Sequence, residues 1–476
     1  MKEQVLHAMR WSLILKVIAQ SGNWIMTILV MRMLTPDDYG IMAMAVAYYG
    51  FFFLLRDFGL STALVQNRNA TTDDFRNVLG LLILINLGFS AFGYLTAPII
   101  AGFYGEADLV PLGQLISLGV LISALGIIPD THLKREMMFK QRTMVETVSR
   151  LSSGLISLAM AYNGYGFWSL AAAYLLYQLF CAIGKFAVAP FWHLPSFSLK
   201  PIRKLMKFGG VISVHSIFSY IFTETDKFII GKMLSATSLG LYEVARTTVS
   251  LPVVKLSEVI QAILLTTFSI SGDKIATVSY QFSRALQVGT FIFFPVMFGI
   301  SAIAPEVISV LLGEKWEPAV PLMVLLAIAV AFQSIEVLLN PTLNAIGKPS
   351  LTLSITIVNV IIVLPAILIS TNWGIYGVCV AWVAAYPIAL LINFARCMPH
   401  LDLSFLTVIN HLSRPLMASF IMWTALYFCR NHLLADMGDL AWLGLAIPAG
   451  GLIYVVCSFL FNRDVFLYFA KLVVNR

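Results

Sequence analysis

Apolar runs of about twenty residues recur along this chain from Trp11 to Phe461, separated by short polar stretches rich in Gly, Pro and charged residues. At about 1.5 Å of rise per residue each run is long enough, as a helix, to cross the roughly 30 Å hydrocarbon core of a bilayer. The runs are continuous and do not alternate, so they predict helices and exclude the ten-residue strands of an outer-membrane barrel. The predicted spans are 11–33, 40–63, 76–101, 110–129, 148–163, 166–189, 209–231, 239–262, 286–312, 319–341, 350–371, 374–397, 412–430 and 440–461. The fold class is therefore an all-α integral membrane protein of about fourteen transmembrane helices. An even count places both termini on one side.

Composition agrees with that pattern. Of 476 residues 59% are hydrophobic and 12% charged, and the mean hydropathy is +0.86, against about 25% charged residues in a soluble domain. The five cysteines, Cys181, Cys379, Cys397, Cys429 and Cys457, are scattered, with no CxxC and no histidine at ligand spacing. They read as small core residues. The start of the chain is charged but lacks a short apolar region ending in a cleavage site, so the first span is expected to be retained as a signal anchor.

Charge sets the orientation. With the termini in the cytoplasm, twenty-one of the thirty-one Lys and Arg residues fall in cytoplasmic segments, six lie inside spans, and only Arg32, Lys232, Lys315 and Arg430 fall outside. This is the positive-inside asymmetry of a cytoplasmic (inner) membrane protein, and one missed span would scramble it. The net charge of +7 is spread along one membrane face. It therefore points to anionic lipid headgroups and not to nucleic acid.

The chain also repeats itself. At an offset of 200, Arg32-Met33-Leu34-Thr35 meets Lys232-Met233-Leu234-Ser235 and Tyr39-Gly40-Ile41 meets Leu239-Gly240-Leu241; at 208, Tyr165-Gly166-Phe167-Trp168 meets Trp373-Gly374-Ile375-Tyr376. Matches in the same order predict two parallel six-helix lobes, 1–197 and 198–400, around a central cavity, followed by 401–476 with two extra helices and a cytoplasmic tail.

Enzyme chemistry finds no foothold. There is no phosphate-cradling GxxxxGK[ST], HExxH, GxSxG or strand-borne GxGxxG, and no long extracytoplasmic loop to carry catalytic groups. No enzyme activity, cofactor or metal is expected. Asn69-Ala70-Thr71 fits a glycosylation sequon but lies on the cytoplasmic side and reads as a turn.

Ionisable residues inside spans are the informative remainder, since each costs about 2.5–3.5 kcal/mol at a helix centre on insertion scales. The first span carries Ser12, Lys16, Gln20, Asn23 and Thr27 on one face; the second carries Arg56 and Asp57. Glu224, Asp226 and Lys227 fall in the seventh, and Glu243, Arg246, Lys255 and Glu258 in the eighth. Because the repeat pairs spans one and two with seven and eight, their polar faces are candidates for a shared binding cavity. Arg246, Lys255, Lys227, Lys16 and Arg56 are the candidate cations. Glu243, Glu258, Glu224, Asp226 and Asp57 are the acidic partners. The plainer alternative is that Glu224–Lys227, Glu243–Arg246 and Lys255–Glu258, each three residues apart, neutralise each other locally. Glu336 has no cationic neighbour in its helix, which makes it the candidate for coupling to an H+ or Na+ gradient. Lys185 reads as a snorkelling anchor, His215 as interfacial, and Trp and Tyr near span ends as an aromatic belt.

With Arg32–Ile41 (RMLTPDDYGI), Lys134–Lys140 (KREMMFK), Asp226–Lys232 (DKFIIGK) and Leu239–Tyr242 (LGLY) in view, the chain resembles, over almost its full length, the polysaccharide transporter family. That family comprises the O-antigen and colanic-acid-type repeat-unit flippases of the multidrug, oligosaccharidyl-lipid and polysaccharide (MOP) exporter superfamily. The resemblance implies two six-helix bundles, alternating access, and as substrate an undecaprenyl-pyrophosphate-linked glycan used in exopolysaccharide or lipopolysaccharide biosynthesis. Other polysaccharide assembly proteins would be partners. An ion-coupled drug exporter of the same superfamily would favour acidic and aromatic cavity residues, whereas acidic and basic groups here are nearly balanced. A glycan polymerase or ligase would need the extracytoplasmic loop that this chain lacks.

Overall fold

The computed structural model describes residues 20–67, 69–198, 202–271 and 275–461, apart from the side chains of 211, 212, 215, 255, 258, 259, 261–271 and 349. Among the described residues every regular element is helical. Eight helical stretches among them are long and apolar enough to cross a membrane. The chain divides into two compact units, Met1–Gly240 and Leu241–Arg476.

The first unit opens with α1 (20–33), followed by α2 (Pro36–Leu55), α3 (Leu60–Gln66), α4 (Thr72–Tyr104), α5 (Leu109–Ala124) and α6 (Ile127–Arg135). Then come α7 (Phe139–Tyr162), α8 (Phe167–Val188), α9 (Arg203–Met233) and the first residues of α10 (Ala236–Ser271). Sequence chemistry explains the boundaries. Thr35 caps α2 reciprocally: its hydroxyl accepts from Asp38 N at 3.3 Å and its own N–H donates to Asp38 Oδ2 at 2.9 Å. Such a cap is worth about 1 kcal/mol. The other Asp38 oxygen accepts from Phe167 N at 2.8 Å, joining the starts of α2 and α8. Thr71 and Asp74 repeat the capping box at α4.

Two expected spans of the first unit are broken. The run 40–63 becomes α2 and α3 because Phe58 (φ 47°) and Gly59 (φ 66°) take up left-handed backbone, and Asp57 Oδ1 accepts from Gly59 N at 2.9 Å. The stretch 110–129 becomes α5 and α6 and continues to Arg135. Charge accounts for much of the remaining difference. The expected spans 148–163 and 209–231 start at Phe139 and Arg203 instead, because their lead-ins are amphipathic helix and not loop.

Small residues let helices approach where apolar bulk gives no driving force in lipid. On α7, Ser149, Ser153, Ser157 and Ala161 form a buried stripe against α8, and Ser157 Oγ donates to Ser169 O at 2.8 Å. A closer approach joins the two repeated loops. A Cβ on Gly40 would lie 1.8 Å from Ala236 O, and one on Gly240 would lie 1.7 Å from Pro36 O. Beside them Thr237 Oγ1 donates to Asp37 Oδ1 at 3.1 Å, and Ser235 caps α10 through Ser238 N at 3.1 Å. Residues 36 and 40 thus meet each other's counterparts at offset 200.

The second unit contains the rest of α10, then α11 (Ile275–Ala302), α12 (Ala304–Leu311), α13 (Val320–Glu336), α14 (Leu339–Ala345), α15 (Pro349–Ser370), α16 (Gly374–Cys397), α17 (Phe405–Phe428) and α18 (Asp439–Phe461). Here α11 packs on α13 and α17, α13 on α16, and α15 on α16. At the other repeat match Gly166 (φ 53°) caps the start of α8 and Gly374 (φ 69°) is the first residue of α16, both with a positive φ.

Candidate functional site

In the first unit the break after α2 positions the candidate charges Arg56 and Asp57. Arg56 Nη1 donates to Gln178 Oε1 at 3.1 Å, and its carbonyl accepts from Asn86 Nδ2 at 2.8 Å. These two charges share a cavity of about 90 Å³ with Asp130, Lys134 and Lys185. Asp130 is its focus, ion-paired to Lys134 at 2.7 Å, Arg142 at 2.8 Å and Lys185 at 2.7 Å. Glu146 pairs with Arg142 and Lys185 at 2.9 and 3.1 Å. Lys185 is thus no snorkelling anchor: its side chain is 12% exposed and is drawn inward by two carboxylates on other helices. The network ties α6, α7 and α8 together. Sequence reading missed it because its contacts between helices join residues that lie on different predicted spans and loops, Asp130 with Arg142 and Lys185, and Glu146 with Lys185.

On α9 the local pairing weighed from sequence is present: Lys227 Nζ lies 3.0 Å from Glu224, both side chains largely buried. Asp226 is fully buried, and its Oδ1 accepts from Lys227 N at 2.8 Å. One turn earlier, Tyr220 OH reaches the carbonyls of Val46 and Ala47 at 3.1 and 2.8 Å and fixes α9 on α2. Lys16 lies outside the described residues, as do the side chains of Lys255, Glu258 and His215. At the turn after α4, burial, with Asp37 and Asp108 close by, pushes the Glu106 carboxyl above the usual carboxylate range.

In the second unit Arg246 Nη1 donates to Tyr242 OH at 2.8 Å, and its guanidinium lies 5.7 Å from the Tyr242 ring and 5.2 Å from that of Trp382. Aromatic faces stabilise a cation away from water while leaving guanidinium edges for planar oxyanions. Glu243 precedes it by three residues on α10. Glu336, expected to stand alone, is held by neutral donors. Its oxygens accept from Asn359 Nδ2 at 2.6 Å and Asn393 Nδ2 at 3.2 Å, and it shares a hydrogen bond with Tyr386. Asn393 also donates to Asn359 Oδ1 at 2.9 Å. Both amides are buried. Their signal was in the sequence, as lone amides within the apolar strings IVNVII and LLINFA.

Arg430 is also committed to structure. It donates to Glu306 at 2.7 Å, Asp439 at 2.8 Å and Met437 O at 2.7 Å, stapling the end of α17 to α12 and α18. Nor are all span-end aromatics a belt, because Trp316 and Trp442 are buried. Trp192 and Trp373, at 81% and 70% exposure, fit that role.

Long apolar helices carrying a few buried, compensated charges are those of a polytopic membrane protein. The fold has solved counterparts. It is similar to the lipid II flippase MurJ in an inward closed conformation, with a TM-score of 0.75, 17% identity, and coverage of 95% of this chain and 99% of that one. It is also similar to a multidrug resistance MATE family transporter of the MOP superfamily, with a TM-score of 0.63, 14% identity, and coverage of 80% and 94%. Residues 29–321, more than half of the chain, match the polysaccharide biosynthesis protein family, and the chain belongs to that family. Among curated relatives, an uncharacterized membrane protein in the cps region of Klebsiella pneumoniae is 25% identical, with 97% of this chain and 96% of the relative covered. The succinoglycan biosynthesis transport protein ExoT of Rhizobium meliloti is 23% identical, with 95% and 92% covered. The lipopolysaccharide biosynthesis protein WzxC of Escherichia coli is 22% identical, with 83% and 81% covered.

Proposed function

We propose that this protein is a flippase that moves an undecaprenyl-pyrophosphate-linked oligosaccharide repeat unit across the cytoplasmic membrane by alternating access. The observation that carries the reading is the near full-length similarity to a succinoglycan biosynthesis transport protein, in a chain with the fold of a lipid flippase. On this reading the chain crosses the membrane fourteen times with both termini in the cytoplasm, as two six-helix lobes and two further helices.

Physics gives the cations a task. Pyrophosphate and hydrated sugars cannot enter hydrocarbon unaided, since burying an unpaired charge costs many kcal/mol. Arg246 would receive the pyrophosphate, with Glu243 on the same helix holding the cation when no substrate is bound. Glu336 would take the coupling ion: a proton or Na+ on its carboxylate competes with the amide donors of Asn359 and Asn393 for the same oxygens. The deciding experiment follows lipid-linked repeat units in cells that lack the protein. Accumulation on the inner leaflet supports the flippase; outward-facing, unpolymerised units would indicate a polymerase step instead and overturn it.

A further inference from the structure

At one end of the second unit, α12, the turn Glu314–Ala319, the start of α13, the end of α17 and the start of α18 enclose a cavity of about 500 Å³. That is the size of a small-molecule site, roughly 300–1,000 Å³. Ile308, Val320 and Pro321 give it an apolar wall. Glu306, Glu314, Glu317 and Asp439 give it four carboxylates against the guanidinium of Arg430. The exposed Lys315 and Asp436 of the same loops bring the balance to five acids against two cations. Counting His432 as a third cation still leaves it negative.

The carboxylates differ in what they already hold. Asp439 is satisfied, with Oδ1 on Arg430 at 2.8 Å and Oδ2 on Ser309 Oγ at 2.7 Å. Arg430 turns its other groups to Glu306 Oε1 at 2.7 Å and to the carbonyls of Leu434 and Met437 at 3.0 and 2.7 Å. Glu306 Oε2 is left over. The residue is 2% exposed, and this oxygen is buried with no hydrogen-bond partner among the described residues. An acceptor in that position is costly to leave unmade, and burial keeps bulk water from supplying the donor. Glu314 and Glu317 are exposed and carry no ion pair among the described residues. Nor are the acids gathered to a point: among the described residues no three His, Cys, Asp or Glu side chains are placed to hold a metal ion. Negative charge spread around an apolar wall complements a cation whose own charges are spaced along methylenes.

We propose that this cavity binds a linear polyamine, one ammonium donating to Glu306, another held by Glu314 and Glu317, and the methylenes between them against Ile308 and Val320. The proposed orientation puts this end of the unit outside the cell, but binding to the purified protein tests the site whichever way the chain faces and whatever it transports. Full-length protein in phosphatidylcholine nanodiscs, which add no anionic lipid to compete, is titrated with spermidine by calorimetry. Spermidine should bind saturably, one per chain. Glu314→Gln and Glu317→Gln, at exposed positions, should each weaken it about fivefold, the upper end for a partly exposed ion pair. Glu306→Gln, which keeps an acceptor for Arg430, should weaken it further. Asp73→Asn, an exposed acid of the first unit, should leave it unchanged. Absence of saturable binding, or an equal loss in Asp73→Asn, overturns the proposal. Tighter binding of Mg2+ or Ca2+ would assign the cavity to a metal ion, and tighter binding of a tetralysine peptide would assign it to a basic segment of a protein partner; either result overturns it as well.

Discussion

Arg246 and Glu336 are held in opposite ways, and their substitutions should differ accordingly. Arg246 lies against two aromatic rings and donates to a phenol hydroxyl, and Arg246→Ala removes its charge. Export should fall about tenfold or more, as expected for a lost charge-assisted contact of about 1.5–3 kcal/mol, with the protein inserted at its normal level. Arg246→Lys should keep part of the activity, since the charge remains but the planar fork does not. If the residue merely balances Glu243, the double variant Arg246→Ala, Glu243→Ala should export at the parent level. Glu336 receives two amide donors, one on each oxygen, and Glu336→Gln keeps one of these acceptors without the charge. That variant should insert normally while transport in proteoliposomes loses its response to an imposed H+ or Na+ gradient. A full response would remove Glu336 from coupling. The intramembrane charges were legible as costly residues in apolar runs; their partners were not, because Asn359, Asn393, Tyr386 and Trp382 are ordinary residues until α13, α15, α16 and α10 pack.

Helices were legible wherever an apolar run had ends marked by Gly, Pro or a capping pair, as at α15 and α16, whose observed bounds fall within a residue of the expected ones. They were not where a helix continues into charge. Hydropathy alone stops at Val148, yet α7 begins at Phe139, since Arg142 and Glu146 find partners on the helix surface. The break at Phe58–Gly59 was hidden for the opposite reason: its strain is backbone strain, and nothing in FFFLLRDFGLS interrupts the apolar signal sharply. At α2 and α10 the shared signature Tyr/Leu-Gly-Ile/Leu has a steric cause. Gly40→Ala would place a methyl within 1.8 Å of a backbone carbonyl, which costs more than the about 1–3 kcal/mol of ordinary overpacking. The yield of folded protein by fluorescence-detected size exclusion should collapse for Gly40→Ala and Gly240→Ala. Gly88→Ala, with nothing within 4 Å, should leave it unchanged.

At the scale of the molecule, orientation is the quantity on which the proposals converge. Cysteines at Asp108 and Glu317 should react with an impermeant maleimide from outside intact spheroplasts, and those at Lys140 and Lys204 should react only after permeabilisation. Labelling of Lys140 or Lys204 from outside would reverse the positive-inside assignment. The crossed glycines carry a further consequence. Gly40 meets the carbonyl four residues before Gly240, and Gly240 meets the carbonyl four residues before Gly40. Such reciprocity is what a two-fold axis produces between identical subunits, where residue i touches j and j touches i. If the proposed two six-helix lobes arose by duplication, the contact is one that two separate copies of a single segment could already have made as a homodimer.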